Sequence, residues 1–169
     1  MGSDNQELLK KIEEGNYIDS SLHSKSESEK NRSFVIVQID TRKFAFPSET
    51  VLEIFLTDTV YYIPFCPGYV TGFINRYGEP YTVIDLLALE EDRKQDNKRF
   101  IILKSDEDQL AFMVEDVLDI FPIASDSIVP LELESHTSDY LVGSFEFNGD
   151  TIWIVDSFKI LERLETDLD

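Results

Sequence analysis

The sequence predicts an all-β protein with a minor helical part: about ten short strands and a single helix at the C-terminus. β-Branched and aromatic runs recur at close spacing, with turn residues between them. No long helical pattern alternates with these runs, which argues against a parallel α/β sheet. The pair Asn148-Gly149 lies between two apolar runs and is the strongest short-range signal of a hairpin. Barrels or a sandwich are the natural architectures for such a chain.

The strands follow from the apolar runs in chain order. We predict them at residues 34–39, 43–47, 51–55, 70–74, 80–84, 99–103, 110–114, 117–121, 140–147 and 151–155. Residues 157–165 have the apolar period of a helix, which Asp156 or Ser157 can cap. The acidic segment 90–97 is predicted to be an exposed connection that divides the strands into two subdomains.

Residues 1–33 differ from the rest because they are polar and rich in serine. We interpret them as a flexible arm, since they offer almost nothing to bury. Leu8, Leu9 and Ile12 lie at helical spacing and Gly15 follows them, so a short partner-docking helix is the alternative. The folded domain is predicted to occupy residues 34–169.

The excess of acidic residues limits the kinds of partner that the protein can bind. Lys and Arg total 15 and Asp and Glu total 34, which gives a net charge of −19. A charge of this sign disfavours nucleic acid and anionic membrane surfaces. The apolar runs are far shorter than the roughly 20 residues that span a bilayer, and no signal peptide precedes them. We therefore expect a cytoplasmic protein without direct membrane insertion.

Carboxylates are many, but the sequence shows no nucleophile–base pair and no metal-ligand set that would indicate catalysis. Cys66 lies in a proline-braced turn and is expected to be a structural thiol, while His136 lies in a polar loop. No glycine-rich phosphate loop and no metal-ligand spacing occurs. Asp85 and Asp156 each end an apolar strand, and capping of a helical turn is favoured over a paired-acid site. The sequence thus predicts no catalytic residue, no metal and no cofactor.

Two ordered sets of motifs carry a resemblance to a known family. The first set contains Val51-Leu52-Glu53-Ile54, Pro67-Gly68-Tyr69-Val70-Thr71-Gly72-Phe73-Ile74-Asn75 and Val83-Ile84-Asp85-Leu86. The second contains Val114-Glu115-Asp116-Val117, Tyr140-Leu141-Val142-Gly143 and Ile154-Val155-Asp156. Their order resembles the CheW-like domain, the adaptor of bacterial chemotaxis arrays, from residue 34 to about 164.

The resemblance implies two small five-stranded β-barrels packed together, with subdomains at roughly 34–90 and 98–156. It implies a non-enzymatic adaptor that couples chemoreceptors to a CheA-type histidine kinase. The implied partners are the regulatory domain of that kinase, the cytoplasmic tip of the receptor and other CheW-like domains.

The resemblance also assigns residues to two surfaces. The kinase-binding set is Val51, Glu53 and Gly72, and the receptor-binding set is Ile54, Asn75, Arg76 and Tyr77. Alternatives from the residues themselves remain open. Val51 and Ile54 have opposite parity on one strand, so at least one can be a core residue. Gly72 can instead permit a close backbone approach.

One turn departs from the family, which usually reads Asn-Leu-Arg-Gly where this chain reads Asn75-Arg76-Tyr77-Gly78. Tyr77 stands at the place of the arginine that commonly pairs with the acid matched by Glu53. Because a shift of one residue flips the face of a strand, Arg76 can take over this pairing only if the turn is rebuilt, for example by a bulge. We expect the Tyr77 hydroxyl to bond Glu53 instead.

The altered turn makes a specialised accessory adaptor without standard receptor coupling an alternative function. Two further classes are a ligand-binding enzyme with its site between the barrels and a structural protein that forms rings of like domains.

Overall fold

The computed structural model describes residues 30–106, 108–132 and 138–169, and within them strands dominate. The strands are β1 (Asn31–Ile39), β2 (Arg42–Pro47), β3 (Val51–Leu56), β4 (Val70–Arg76), β5 (Glu79–Ile84), β6 (Arg99–Leu103), β7 (Leu110–Val114), β8 (Asp116–Ala124), β9 (Val129–Pro130), β10 (Leu141–Phe147) and β11 (Asp150–Val155). The helices are α1 (Leu86–Glu91) and α2 (Ser157–Leu168).

The strands form two sheets of matching design. Sheet 1 has the order β3-β6-β7-β5-β4, and sheet 2 has the order β8-β1-β2-β11-β10-β9. Each contains one parallel pair, β5 with β7 and β11 with β2, and the remaining pairs are antiparallel. The hairpin β4–β5 of sheet 1 therefore corresponds to the hairpin β10–β11 of sheet 2.

The topology corrects two expectations about the subdomains. The sheets have five and six strands, and the backbone pairing of the described residues leaves both open rather than closed as barrels. The N-terminal hairpin β1–β2 joins sheet 2. The two subdomains are therefore not divided into residues before 90 and residues after 98. Segment 90–97 connects α1 to β6, and β6 belongs to sheet 1 like the strands before the segment. The hairpin β1–β2, although first in the chain, belongs to the same sheet as the last strands, β10 and β11.

Three apolar clusters hold this arrangement together. One lies within each curled sheet, around Ile74 and Phe100 in sheet 1 and around Phe34 and Phe145 in sheet 2. The largest joins the two sheets and includes Val37, Phe46, Ile84, Ile101, Phe112, Ile160 and Leu164. Burial of apolar surface on both faces of the central strands explains why β6 and β7 are nearly continuous apolar runs.

Two aspartates end matching strands and cap the helices, as predicted. Asp156 accepts a hydrogen bond from the backbone N–H of Phe158 at 3.0 Å. Asp85 is buried and accepts from the N–H groups of Leu87 and Ala88, at 3.0 and 3.3 Å. Asp85 also accepts from the backbone and side-chain nitrogens of Gln95, at 2.8 and 2.7 Å. Four donors thus satisfy a carboxylate that would otherwise be costly to bury.

The predicted strands are present, with changed ends. β1 begins at Asn31 rather than at residue 34, since residues 31–33 pair with the end of β8. Residues 31–33, which were predicted to belong to the N-terminal arm, are therefore part of sheet 2. Residues 1–29 and His136 lie outside the described residues. The two-residue strand β9 was not predicted, and α2 continues to Leu168.

Candidate partner-binding surface

An ion pair joins the two edge strands of sheet 1. Arg76, the last residue of β4, donates from its guanidinium to the Glu53 carboxylate of β3 at 2.6 Å. Arg76 shares a face of β4 with the buried Ile74, and Glu53 lies opposite Ile102 of the same interior cluster. Both side chains therefore point to the interior of sheet 1, where its edges approach each other.

The ion pair overturns the predicted bond between Tyr77 and Glu53. Tyr77 lies in the turn after β4 with φ +51°, and its side chain is 82% exposed. The expectation failed because Arg76, not the turn residue, has the strand parity that faces Glu53. The ring of Tyr77 instead lies 5.1 Å from the Arg76 guanidinium and 6.2 Å from the Phe55 ring.

The pair changes the acid–base properties of both partners. The hydrogen bond from Arg76, reinforced by its charge and opposed by partial burial, holds the pKa of the Glu53 carboxyl below its usual range. The same hydrogen bond raises the pKa of Arg76. Glu53 is therefore a carboxylate whose charge is already balanced within the chain at neutral pH.

The face of β3 opposite Glu53 is exposed and apolar. Ile54 lies opposite Ile101, so it points to the side where the two sheets meet, and it is 41% exposed. Leu56 has the same parity and is also exposed. Leu52 sits at a register shift between Val51 and Glu53 and adds a third exposed side chain. This row along an edge strand is suited to contact with another protein.

The two remaining residues of the predicted kinase-binding set, Val51 and Gly72, lie in the framework of sheet 1. Val51 is half-buried and packs against the cluster between the sheets. Gly72 is buried with φ +147°, and a Cβ there would lie 2.1 Å from the Tyr61 carbonyl oxygen. Tyr61 forms two 2.8 Å backbone hydrogen bonds with Phe73, so Gly72 permits the close approach of this segment to β4.

Asn75 belongs to the hairpin turn. Its side-chain oxygen accepts a hydrogen bond from the Gly78 N–H at 2.8 Å. The matching turn of sheet 2 is Asn148-Gly149, where both residues have positive φ as predicted.

The structure therefore divides the predicted sets differently from the sequence. It brings Glu53 together with Arg76 and Tyr77, and it places Ile54 on the other face of β3. Sequence reasoning assigned none of Leu52, Phe55, Leu56 and Tyr61 to either surface. Glu53 interrupts the apolar residues of β3 at one position, and this pattern gives no indication of which face stays exposed.

The described residues contain no cluster of His, Cys, Asp and Glu that could hold a metal ion. The thiol of Cys66 is half-buried and donates to the Ile63 carbonyl at 3.1 Å. Apolar side chains of the largest cluster lie between the two sheets. None of the helices in ranges 30–106, 108–132 and 138–169 has the length and apolar character to cross a bilayer.

Comparison with known proteins gives a consistent result. The family model described as the CheW-like domain matches residues 33–165. A crystal structure of the scaffolding protein TtCheW from Thermoanaerobacter tengcongensis superposes with a TM-score of 0.64 at 23% identity. That match covers 74% of this chain and 84% of the other. No curated protein sequence is significantly similar to the chain.

Proposed function

The chain belongs to the family of CheW-like domains, and from this premise we propose that it couples a chemoreceptor to a CheA-type histidine kinase as a non-enzymatic adaptor. The observation that carries the proposal is the family match across nearly the whole described domain, on a fold like that of a scaffolding protein. We place the protein in the cytoplasm, where both partners present their signalling domains.

The kinase-facing surface would lie on sheet 1 around Glu53. Val51 supports β3 by packing against the apolar cluster between the sheets. Gly72 would act indirectly, because it allows the Tyr61 segment to lie close to β4. Only Glu53 of the three presents a polar group, and its charge is held by Arg76. This surface would therefore recognise its partner mainly through shape and apolar contact.

The receptor-facing surface would be the exposed row of β3, with Ile54 at its centre. The row faces the junction of the two sheets, where a helical receptor tip can bury apolar side chains. Arg76 and Asn75 would act indirectly by fixing the turn, while Tyr77 is the member of the set that projects into solvent.

The turn supports a second candidate within the same fold, an accessory scaffold that binds the kinase or other CheW-like domains without ordinary receptor coupling. The Arg76 charge is balanced by Glu53 and partly covered by the Tyr77 ring. A receptor that needs a free arginine at this turn would lose its contact, because specificity can rest on one unpaired group.

Calorimetric titration with the kinase regulatory domain and then with the receptor tip tests the proposal. We expect both to bind. Ile54→Ser should weaken binding of the receptor tip and leave binding of the kinase domain unchanged. Val129→Ser is the matched control, because Val129 is also exposed and apolar but lies on sheet 2. Binding of the kinase domain alone would favour the accessory scaffold, and binding of neither would refute both.

A further inference from the structure

Two aromatic residues in the connections between strands of sheet 1 adopt a backbone conformation that aromatic residues rarely adopt. Among the described non-glycine residues with positive φ, three are Asp or Asn, which tolerate this region: Asp40, Asp92 and Asn148. The other two are Phe65, with φ +59°, and Tyr77. Conformational strain of this kind persists where the surrounding structure enforces it, and it concentrates at functional sites.

The segment around Phe65 is held firmly in this conformation. The Cys66 thiol donates to the Ile63 carbonyl at 3.1 Å, and the Val70 N–H donates to the Pro67 carbonyl at 2.9 Å. Pro64 precedes Phe65 and Pro67 follows Cys66, so two residues of the loop have a fixed φ. The loop is therefore a rigid support for the residue at its tip.

The Phe65 side chain is fully exposed in the isolated chain. Its relative exposure is 103%, the highest among the exposed large apolar residues. Exposure of a whole phenyl ring to water is unfavourable, and so is the left-handed backbone beneath it. Burial of the ring against another surface would offset both costs.

The charge pattern indicates the chemistry of that surface. The chain as a whole carries −19, yet between Asp58 and Arg76 it has no charged residue. Tyr61 and Tyr62 lie in this stretch and are also exposed. The centres of protein interfaces are depleted in charge and enriched in aromatic residues, and this segment has both properties.

We propose that Phe65 is an anchor residue that inserts into an uncharged apolar pocket on a folded protein partner. The inference rests on the proposed function in one respect, since it takes the partner to be the regulatory domain of the kinase. The loop that carries Phe65 continues directly from Tyr61, the residue that covers Gly72 on the kinase-facing side of sheet 1.

The test compares three variants of the full chain by calorimetric titration with the kinase regulatory domain. Phe65→Asn should bind at least tenfold more weakly, while its urea midpoint stays unchanged or rises, because Asn accepts the left-handed backbone. Phe65→Leu should retain most of the affinity. Phe158→Asn is the control, since Phe158 is 64% exposed but lies in the regular helix α2, and it should bind like the wild type.

The outcomes separate the inference from the proposed function. If the wild-type chain fails to bind the kinase domain, the proposed function is refuted and the inference with it. If the wild type binds and Phe65→Asn binds equally well, the inference alone is wrong. If Phe65→Asn instead abolishes self-association measured by sedimentation, the pocket belongs to a second copy and the assignment to the kinase is wrong.

Discussion

Substitution of Gly72 by alanine should destabilise the domain strongly. The added Cβ would lie 2.1 Å from the Tyr61 carbonyl oxygen and 2.9 Å from its carbonyl carbon. A relaxed C···O contact is about 3.3 Å or longer, so the Tyr61 segment must move away by more than about 1 Å. That movement breaks both 2.8 Å hydrogen bonds between Tyr61 and Phe73.

The size of the effect follows from these contacts. Two lost backbone hydrogen bonds cost about 1 kcal/mol each, and a side chain at φ +147° adds about 1–3 kcal/mol of strain. The free energy of unfolding should therefore fall by about 3–5 kcal/mol. With a urea m-value of about 2 kcal/mol per molar, the midpoint of unfolding should fall by roughly 2 M.

Two other glycines provide a graded control. Gly68 has no heavy atom within 4 Å of a built Cβ, and its conversion to alanine should leave the urea midpoint unchanged or slightly higher. Gly143 holds the position in sheet 2 that Gly72 holds in sheet 1, but a Cβ there would lie 3.1 Å from the Val129 carbonyl oxygen. Gly143→Ala should therefore lower the urea midpoint by an intermediate amount. Equal midpoints for Gly68→Ala and Gly72→Ala would refute the argument from close approach.

Three further predictions concern named side chains. Glu53→Gln should lower stability at pH 7. Because the folded pKa of Glu53 lies below the usual carboxyl value of 4.5, the difference should shrink as the pH falls from 4.5 and vanish once the pH is below the folded pKa; urea unfolding across this range checks it. A constant difference would contradict it. Tyr77→Asn should raise the free energy of unfolding by about 0.5 kcal/mol, because Asn tolerates positive φ, and thermal unfolding at matched pH measures the gain. Asp85→Ala should cost about 3 kcal/mol or more because it orphans four donors, whereas Asp156→Ala should cost about 1 kcal/mol; equal losses in denaturant unfolding would count against it.

Local features were predictable because local chemistry determines them. Asn148-Gly149 forms its turn since both residues accept positive φ, and Asp85 and Asp156 cap helices since their side chains reach the free N–H groups. The strand pattern needed no more than the alternation of apolar runs and turn residues.

The features that failed depend on long-range pairing. Nothing in the apolar pattern of β1 and β2 indicates that this hairpin completes the sheet built from the end of the chain. The contact between Arg76 and Glu53 joins opposite edges of sheet 1, and the sequence did not indicate that Arg76 rather than Tyr77 has the strand parity that faces Glu53. The exposed row of β3 has the same kind of side chains as a buried face, and only its position at a sheet edge distinguishes it.

The central claim is that the chain joins two proteins that do not join without it. The most direct measurement is co-sedimentation of a receptor tip with the kinase regulatory domain, with and without the chain. We predict that the kinase domain sediments with the receptor tip only when the chain is present, and that Ile54→Ser removes the effect while Val129→Ser retains it. Sedimentation of the kinase domain to the same extent without the chain, or none with it, would contradict the account.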